Sequence, residues 1–195
     1  MGLISCHLPY RGVVLTVLWT IIAAVWTILP AYVPNSAAVV TGGGPPIDGG
    51  RTWAGCRVLG DGKTWRGAFG GTAAGVVMAF LLNFFRSSAF PIVGARVPVF
   101  PVQAAVALPL GAICGDIVAS FIKRRMGHER GAAVPLLDQL DFLAGALALA
   151  YIVAPGWAAE WLGRLTVAVL VVLTPLFHRM ANQIGYRIGL KDEPW

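Results

Sequence analysis

Charged residues are scarce in this chain. Only 12% of its 195 residues are Asp, Glu, Lys or Arg, whereas 57% are hydrophobic. A soluble domain typically carries about 25% charged residues, so this composition could not cover a surface that faces water. It excludes an ordinary soluble protein and indicates an integral membrane protein. The length suits one domain, residues 1–195, and is too short for two large ones.

Cysteine and histidine are also few. The cysteines Cys6, Cys56 and Cys114 are odd in number and widely spaced, with no C-x-x-C pair, and the three histidines are scattered. This pattern gives no support for a disulfide scaffold or a zinc site. The G-x-x-x-x-G-K-[ST] pattern is absent as well, so a Walker A nucleotide site is excluded.

Long apolar runs are what the chain has instead. Five segments each approach the roughly 20 residues that a helix needs to cross a bilayer, namely Val13–Val33, Ala68–Phe85, Val102–Ile122, Phe142–Ala159 and Leu162–Ile184. They predict an all-α, polytopic membrane protein with five transmembrane helices. Pro109, Gly111 and Gly115 interrupt the third segment, which we therefore expect to be kinked or partly unwound.

The basic residues predict the orientation of these spans. With five crossings, eleven of the fifteen Lys and Arg residues fall on the side that holds the loops after spans one and three and the C-terminal tail. The positive-inside rule makes that side cytoplasmic and leaves the N-terminus outside. The two polar loops, Pro34–Gly67 and Lys123–Asp141, are then both expected in the cytoplasm of a multi-pass cell-membrane protein.

A glycine-rich octapeptide just before span two suggests nucleotide binding. It contains Asp61, Lys63, Thr64 and Arg66 between glycines. Glycine lets the backbone approach an anion closely, and Lys and Arg make strong contacts with phosphate. The start of the following helix adds partial positive charge. The alternative is a solvated loop whose basic residues only set the topology.

A second polar constellation ends span three. Asp116, Ser120 and Lys123 are spaced i, i+4 and i+7, so they share one helical face. A carboxylate within a membrane span is costly and by default indicates a function. The alternative is that Asp116 only pairs with a neighbouring basic residue.

A third constellation opens span four. Asp138 and Asp141 lie three residues apart at a helix start, on one face. Two carboxylates so close repel each other unless a proton or a cation lies between them, and carboxylates with phosphates are the usual ligands of Mg²⁺. The alternative is helix capping by Asp138 with favourable placement of Asp141 near the helix dipole.

These motifs resemble those of a known family. Ser120-Phe-Ile-Lys-Arg-Arg-Met-Gly127, followed by Gly131, Pro135 and Leu137-Asp-Gln-Leu-Asp141, is similar to the signature of the CTP-dependent phosphatidate cytidylyltransferases. Pro46-Ile-Asp48 and Gly60-Asp-Gly-Lys-Thr-Trp-Arg-Gly67 resemble their archaeal relatives, the CDP-archaeol synthases. The motifs cover about a third of the chain, in both polar loops and the adjacent helix ends.

The resemblance implies a reaction and a division of roles. CTP and 2,3-bis-O-(geranylgeranyl)-sn-glycerol 1-phosphate, an isoprenoid ether lipid, would give CDP-archaeol and pyrophosphate. Asp116, Asp138 and Asp141 would hold Mg²⁺ and, with Lys123, form the catalytic group. Asp61, Lys63, Thr64, Arg66 and Ser120 would bind CTP. Two alternatives stay open: a CTP-dependent polyprenol or dolichol kinase, and a small ion or solute transporter.

Overall fold

Helices make up nearly all of the regular structure. The computed structural model describes residues 10–89, 97–128, 134 and 136–189. In these ranges lie six helices and one short hairpin: α1 Tyr10–Thr41, β1 Thr52–Trp53, β2 Cys56–Arg57, α2 Trp65–Ala89, α3 Val102–Arg125, α4 Leu137–Val153, α5 Pro155–Trp161 and α6 Arg164–Arg187. This confirms the predicted helical, polytopic fold class.

Four helices in the described ranges are long and apolar enough to cross a bilayer: Leu15–Thr41, Trp65–Arg86, Val102–Arg125 and Arg164–Arg187. They match predicted spans one, two, three and five. The fourth predicted span, Phe142–Ala159, is divided between α4 and α5, because Ala154 leaves the helical conformation before Pro155 begins α5. The 17 residues of α4 extend about 26 Å. Five crossings therefore stay a prediction.

Helices α1 and α3 differ from the predicted spans because each continues through its prolines. Neighbouring glycine makes room for the proline. Helix α1 continues to Thr41 rather than ending at Val33, although Pro30 and Pro34 lie inside it. Because Pro34 has no N–H, the Pro30 carbonyl lacks its helical hydrogen-bond partner. Gly75 packs beside this carbonyl, so closely that a Cβ on Gly75 would be only 2.5 Å from the carbonyl oxygen. Helix α3 is likewise unbroken through Pro109, so the expected unwinding there is wrong.

The closest helix pair is α3 with α4. A Cβ added to Gly115 would overlap the carbonyl oxygen of Asp141, and one added to Gly145 would overlap the carbonyl oxygen of Gly111. Small residues at these positions let the two backbones touch, as is common in membrane bundles. This contact fixes the position of Asp141 along the axis of α3. Helix α6 closes the bundle against α1 and α4 over a shorter length.

Candidate active site

One cavity of about 600 Å³ opens at the end of the bundle where the two polar loops meet. Helices α1, α3, α4 and α6 and the residues that precede and begin α2 surround it. Its charged lining comes from residues distant in the chain, which are Lys63, Asp116, Lys123, Asp138 and Asp141. A volume of this size lies within the range of small-molecule sites.

Lys63 and Asp116 form the first ion pair of the cavity. The Lys63 ammonium donates a hydrogen bond to Oδ2 of Asp116, and both side chains are about a quarter exposed. The first polar loop thus contacts the middle of α3. Asp116 therefore has the basic partner that an intramembrane carboxylate requires, and Lys63 points into the cavity rather than into solvent.

Lys123 and Asp138 form the second ion pair. Lys123 Nζ donates to Oδ1 of Asp138 at 2.7 Å, and the backbone N–H of Val134 donates to Oδ2 at 2.8 Å. Asp138 does not cap α4, since Leu136 holds the N-cap position and no side chain caps the helix. The capping alternative for Asp138 is therefore not supported.

Asp141 differs from the other two carboxylates. Its Oδ1 accepts a 2.6 Å hydrogen bond from the N–H of Phe142, and among the described residues no Lys or Arg forms an ion pair with it. It lies where α3 and α4 touch and it lines the cavity. The cavity therefore combines two lysine-paired carboxylates with one that lacks a basic partner in the described part of the chain.

Thr64 is held at the start of α2. Its hydroxyl oxygen accepts a 3.1 Å hydrogen bond from the N–H of Gly67, and the side chain is buried at the cavity wall. This is the geometry of a helix N-cap. Within the described residues the hydroxyl has no acceptor for its own hydrogen, which can therefore be donated to an anion. The carbonyl of the preceding Lys63 accepts from Ile47 N at 2.7 Å, which fixes the backbone beside the lysine.

Asp48 organises the loop that carries Lys63. Its carboxylate accepts hydrogen bonds from the backbone N–H groups of Gly50, Leu59 and Gly60 and from the guanidinium of Arg57. Burial alone would raise the pKa of Asp48, but Arg57 and the three backbone donors outweigh it and hold the pKa well below its usual range. The carboxylate is therefore charged and stabilises an otherwise irregular loop.

Arg125 fastens the hairpin of this loop to the end of α3. Its guanidinium donates to the carbonyls of Trp53 and Arg57 at 2.6 and 3.0 Å. It also lies over the rings of Trp53 and Phe121, 5.4 and 5.5 Å from their centroids. Of the three basic residues that end α3, Lys123 points into the cavity and Arg125 holds the loop beside it.

Six of the nine residues predicted for the site line the cavity. Three do not. Asp61 is exposed and paired with Arg57 at 2.6 Å, Arg66 is exposed beside Gly44, and Ser120 is buried in α3 outside the cavity lining. Their proposed contacts with CTP stay predictions.

Sequence reasoning missed one face of α1. Val25, Leu29, Tyr32, Asn35 and Ser36 all line the cavity. From Val25 to Asn35 the spacing is three or four residues, which is the periodicity of one helical face, and Ser36 lies one turn after Tyr32. The face changes from apolar to polar along the chain. Oδ1 of Asn35 is buried and has no hydrogen-bond partner within the described ranges. Asn35 gave no signal in the sequence, because span one was predicted to end at Val33; it lies within an apolar span only because α1 continues to Thr41.

Comparison with known proteins identifies the family. The model of the CarS-like CDP-archaeol synthase family matches residues 15–195. The chain belongs to the CDP-archaeol synthase family. CDP-archaeol synthase of Halobacterium salinarum is 53% identical over 176 residues, which are 90% of this chain and 97% of the relative. That of Methanosarcina barkeri is 47% identical over 174 residues, covering 86% and 99%.

A solved structure supports the same assignment. It is described as an intramembrane enzyme for archaeal membrane lipid biosynthesis. It is 39% identical, aligns with a TM-score of 0.66 and covers 83% of this chain and 94% of its own. The family predicted from the motifs is therefore confirmed, as is the membrane-embedded fold.

Proposed function

We propose that this protein transfers CMP from CTP to the phosphate of 2,3-bis-O-(geranylgeranyl)-sn-glycerol 1-phosphate, giving CDP-archaeol and pyrophosphate. The observation that carries the proposal is a cavity that joins three carboxylates and two lysines to an apolar interior. The charged end suits a triphosphate and a lipid phosphate. The apolar end suits a hydrocarbon chain, which a soluble nucleotide enzyme would not need.

The reaction requires little proton transfer. An oxygen of the lipid phosphate attacks the α-phosphorus of CTP, a new P–O bond forms, and the bond from the α-phosphorus to the bridging oxygen breaks. The electron pair leaves with pyrophosphate. The attacking oxygen is already anionic at neutral pH, so the obstacle is repulsion between phosphate groups. Lys63 and Lys123 can reduce it by binding phosphate oxygens in fixed positions.

The carboxylates fit a magnesium site that needs substrate to be complete. No three Asp, Glu, His or Cys side chains converge as a preformed metal cluster in the part of the chain that the structure describes. Mg²⁺ usually binds through one or two carboxylates plus phosphates and water, and Asp141 has a carboxylate without a basic partner there. We propose Asp141, with Asp138 and Asp116, as its protein ligands. Bound Mg²⁺ would neutralise charge on the phosphates.

The lysines then have two roles in turn. Without ligand, Lys63 and Lys123 neutralise Asp116 and Asp138, so the cavity does not hold four unpaired charges. When phosphates and a cation bind, each lysine can exchange its carboxylate for a phosphate. This exchange leaves both lysines and their two carboxylates paired, which limits the cost of removing these charges from water.

Isotope position separates the proposed reaction from the kinase alternative. Purified protein is incubated with Mg²⁺, CTP labelled at either the α- or the γ-phosphorus, and either the ether lipid phosphate or a polyprenol. Cytidylyltransfer predicts α-label in the lipid and γ-label in pyrophosphate. Label from the γ-position in a polyprenol would contradict it. An ester-linked phosphatidic acid in a parallel reaction tests the preference for ether lipids, and EDTA tests the need for a divalent cation.

We also propose that the two motif loops face the cytoplasm, where CTP is found. The contacts between Lys63 and Asp116 and between Arg125 and the hairpin support placing both loops at one end of the bundle. Cys56 is exposed in the first loop and offers a native probe. With Cys6 and Cys114 changed to Ser, a membrane-impermeant maleimide should label Cys56 in inside-out vesicles. Labelling in intact cells would contradict this orientation.

A further inference from the structure

The cavity continues from its charged mouth into the membrane part of the bundle. At its inner end the lining includes Val25 and Leu29 of α1, and Phe142 and Phe177 line it beside Tyr32. Along α1, Val25 and Ser36 are eleven residues apart, so this lining extends about 16 Å. Tyr32 lies between the apolar and polar portions. The cavity is thus amphipathic along the direction that a membrane lipid takes in the bilayer.

Two sides of the bundle are closed to a hydrocarbon chain. The α3–α4 side is sealed by backbone contact at Gly111, Gly115 and Gly145. The α1–α2 side is equally close, since a Cβ on Gly71 would approach the Pro34 carbonyl to 2.6 Å. The described helices leave no gap for a branched chain at either contact.

The α1–α6 side is joined differently. Tyr32 Oη and Thr174 Oγ1 are 2.8 Å apart and share a hydrogen bond. The Tyr32 ring also meets the ring of Phe177 edge-on at 6.1 Å. Thr174 is completely buried, whereas Phe177, one turn further along α6, is 37% exposed and lines the cavity. Here side chains join the two helices, and none of the described glycines brings their backbones together as at the other two sides.

Proline lies beside this junction on both helices. Pro30 and Pro34 flank Tyr32 in α1, and Pro175 follows Thr174 in α6. Each proline removes one helical hydrogen bond and makes the helix easier to bend at that point. Helix α6 can therefore bend away from α1 at Pro175, while α1 stays packed against Gly71 and Gly75 of α2 at its two prolines.

We propose that an isoprenoid chain of the lipid substrate enters the cavity sideways between α1 and α6 and lies against Val25, Leu29 and Phe177. The proposal rests on the proposed function. Entrance through the charged mouth would require the chain to cross water, at a cost of about 0.8 kcal/mol for each exposed methylene. Sideways entrance keeps the chain in an apolar environment and brings its phosphate to the lysines.

A larger side chain at the apolar end of the cavity tests the proposal. Leu29→Trp should raise the KM for the geranylgeranyl lipid about tenfold, while the KM for CTP stays unchanged. A geranyl analogue, whose chain is too short to reach the inner end, should be affected little. Val172→Trp, at an exposed α6 position outside the cavity lining, is the matched control and should leave both lipids unaffected.

A second variant keeps the test decisive. If Leu29→Trp no longer binds CTP and so has lost its fold, Val25→Phe, one turn deeper, is measured instead. An unchanged KM for the long lipid in a variant that binds CTP would overturn the proposal, as would an equal rise for both chain lengths. Absence of CDP-lipid from the wild-type protein would instead refute the proposed function.

Photolabelling locates the chain directly. A lipid phosphate with a diazirine at the end of one chain should label Val25, Leu29 or Phe177, and competition by unlabelled lipid phosphate should remove the label. Label that concentrates instead on the outer α3–α4 groove, around Cys114 and Ala148, would overturn the sideways route between α1 and α6.

Discussion

The two walls of the cavity are built differently. The α3–α4 wall is held by backbone contact at glycines and carries the three carboxylates. The α1–α6 wall is held by Tyr32, Thr174 and aromatic rings and carries the apolar lining. Transferring a nucleotidyl group requires charges in fixed positions, whereas exchanging a lipid with the membrane requires an opening. One wall of the cavity is therefore rigid, and the opposite wall can admit a lipid.

The largest effect is expected from breaking the rigid wall. Gly145→Ala places a Cβ against the backbone of Gly111 and Gly115, with no side chain that can move aside. We expect α3 and α4 to separate, with a loss of roughly 3 kcal/mol in the free energy of unfolding and nearly complete loss of turnover. Gly156→Ala, where a Cβ meets nothing within 4 Å, should be neutral. Thermal unfolding in detergent measures both.

The second-largest effect is expected when charge is removed from the rigid wall and its helices stay in place. Asp138→Asn and Asp141→Asn keep side-chain size, so we expect folded proteins whose turnover falls about a hundredfold, equivalent to roughly 3 kcal/mol. Any remaining activity should require more Mg²⁺. Glu160→Gln, an exposed change in α5 outside the cavity lining, controls for loss of a carboxylate. Wild-type turnover at low Mg²⁺ in both Asn variants would refute the metal role.

Lys63→Ala tests the loop that faces the rigid wall. It removes a charged phosphate contact, which typically costs about 1.5–3 kcal/mol, or roughly ten- to a hundredfold in affinity for CTP. It also leaves Asp116 unpaired, so thermal stability is measured in parallel. Arg164→Ala, at the start of α6 and outside the cavity lining, is the control. Unchanged CTP affinity in titration calorimetry would place the nucleotide elsewhere.

The smallest effect is expected at the looser wall. Tyr32→Phe keeps the ring contacts with Phe142 and Phe177 but removes the hydrogen bond to Thr174, which contributes about 1 kcal/mol. Thr174→Val should cost the same, and the double variant should cost no more than either. CTP affinity should stay constant throughout. A loss as large as that of Gly145→Ala would show that both walls are equally rigid.

Sequence reasoning reached the charged wall and missed the apolar one. Asp116, Lys123, Asp138 and Asp141 were predictable because charge within or beside an apolar span is costly and therefore conspicuous. Val25 and Leu29 gave no such signal, since an apolar residue in a span looks the same whether it faces lipid, protein or cavity. Only the position of α6 beside α1 in the fold shows that they line the cavity.

The ion pairs of the cavity could not be predicted from the sequence either. Spacing put Asp138 and Asp141 on one face, but which carboxylate pairs with Lys63 depends on how the first loop folds back over α3. That fold depends on Asp48, whose partners Leu59 and Gly60 lie eleven and twelve residues away in the chain. For the same reason Asp61, conspicuous among glycines, lies outside the cavity lining and pairs with Arg57.

The two bonds of Arg57 make the loop selective in its response to salt. Arg57 pairs with Asp61, whose side chain is 65% exposed, and with Asp48, whose side chain is 2% exposed. Dissolved ions screen an exposed pair strongly and a buried pair much less. Rising ionic strength should therefore weaken the Asp61 bond first and leave the Asp48 bond in place. The segment that carries Lys63 should therefore keep its shape at ionic strengths that weaken ordinary surface ion pairs.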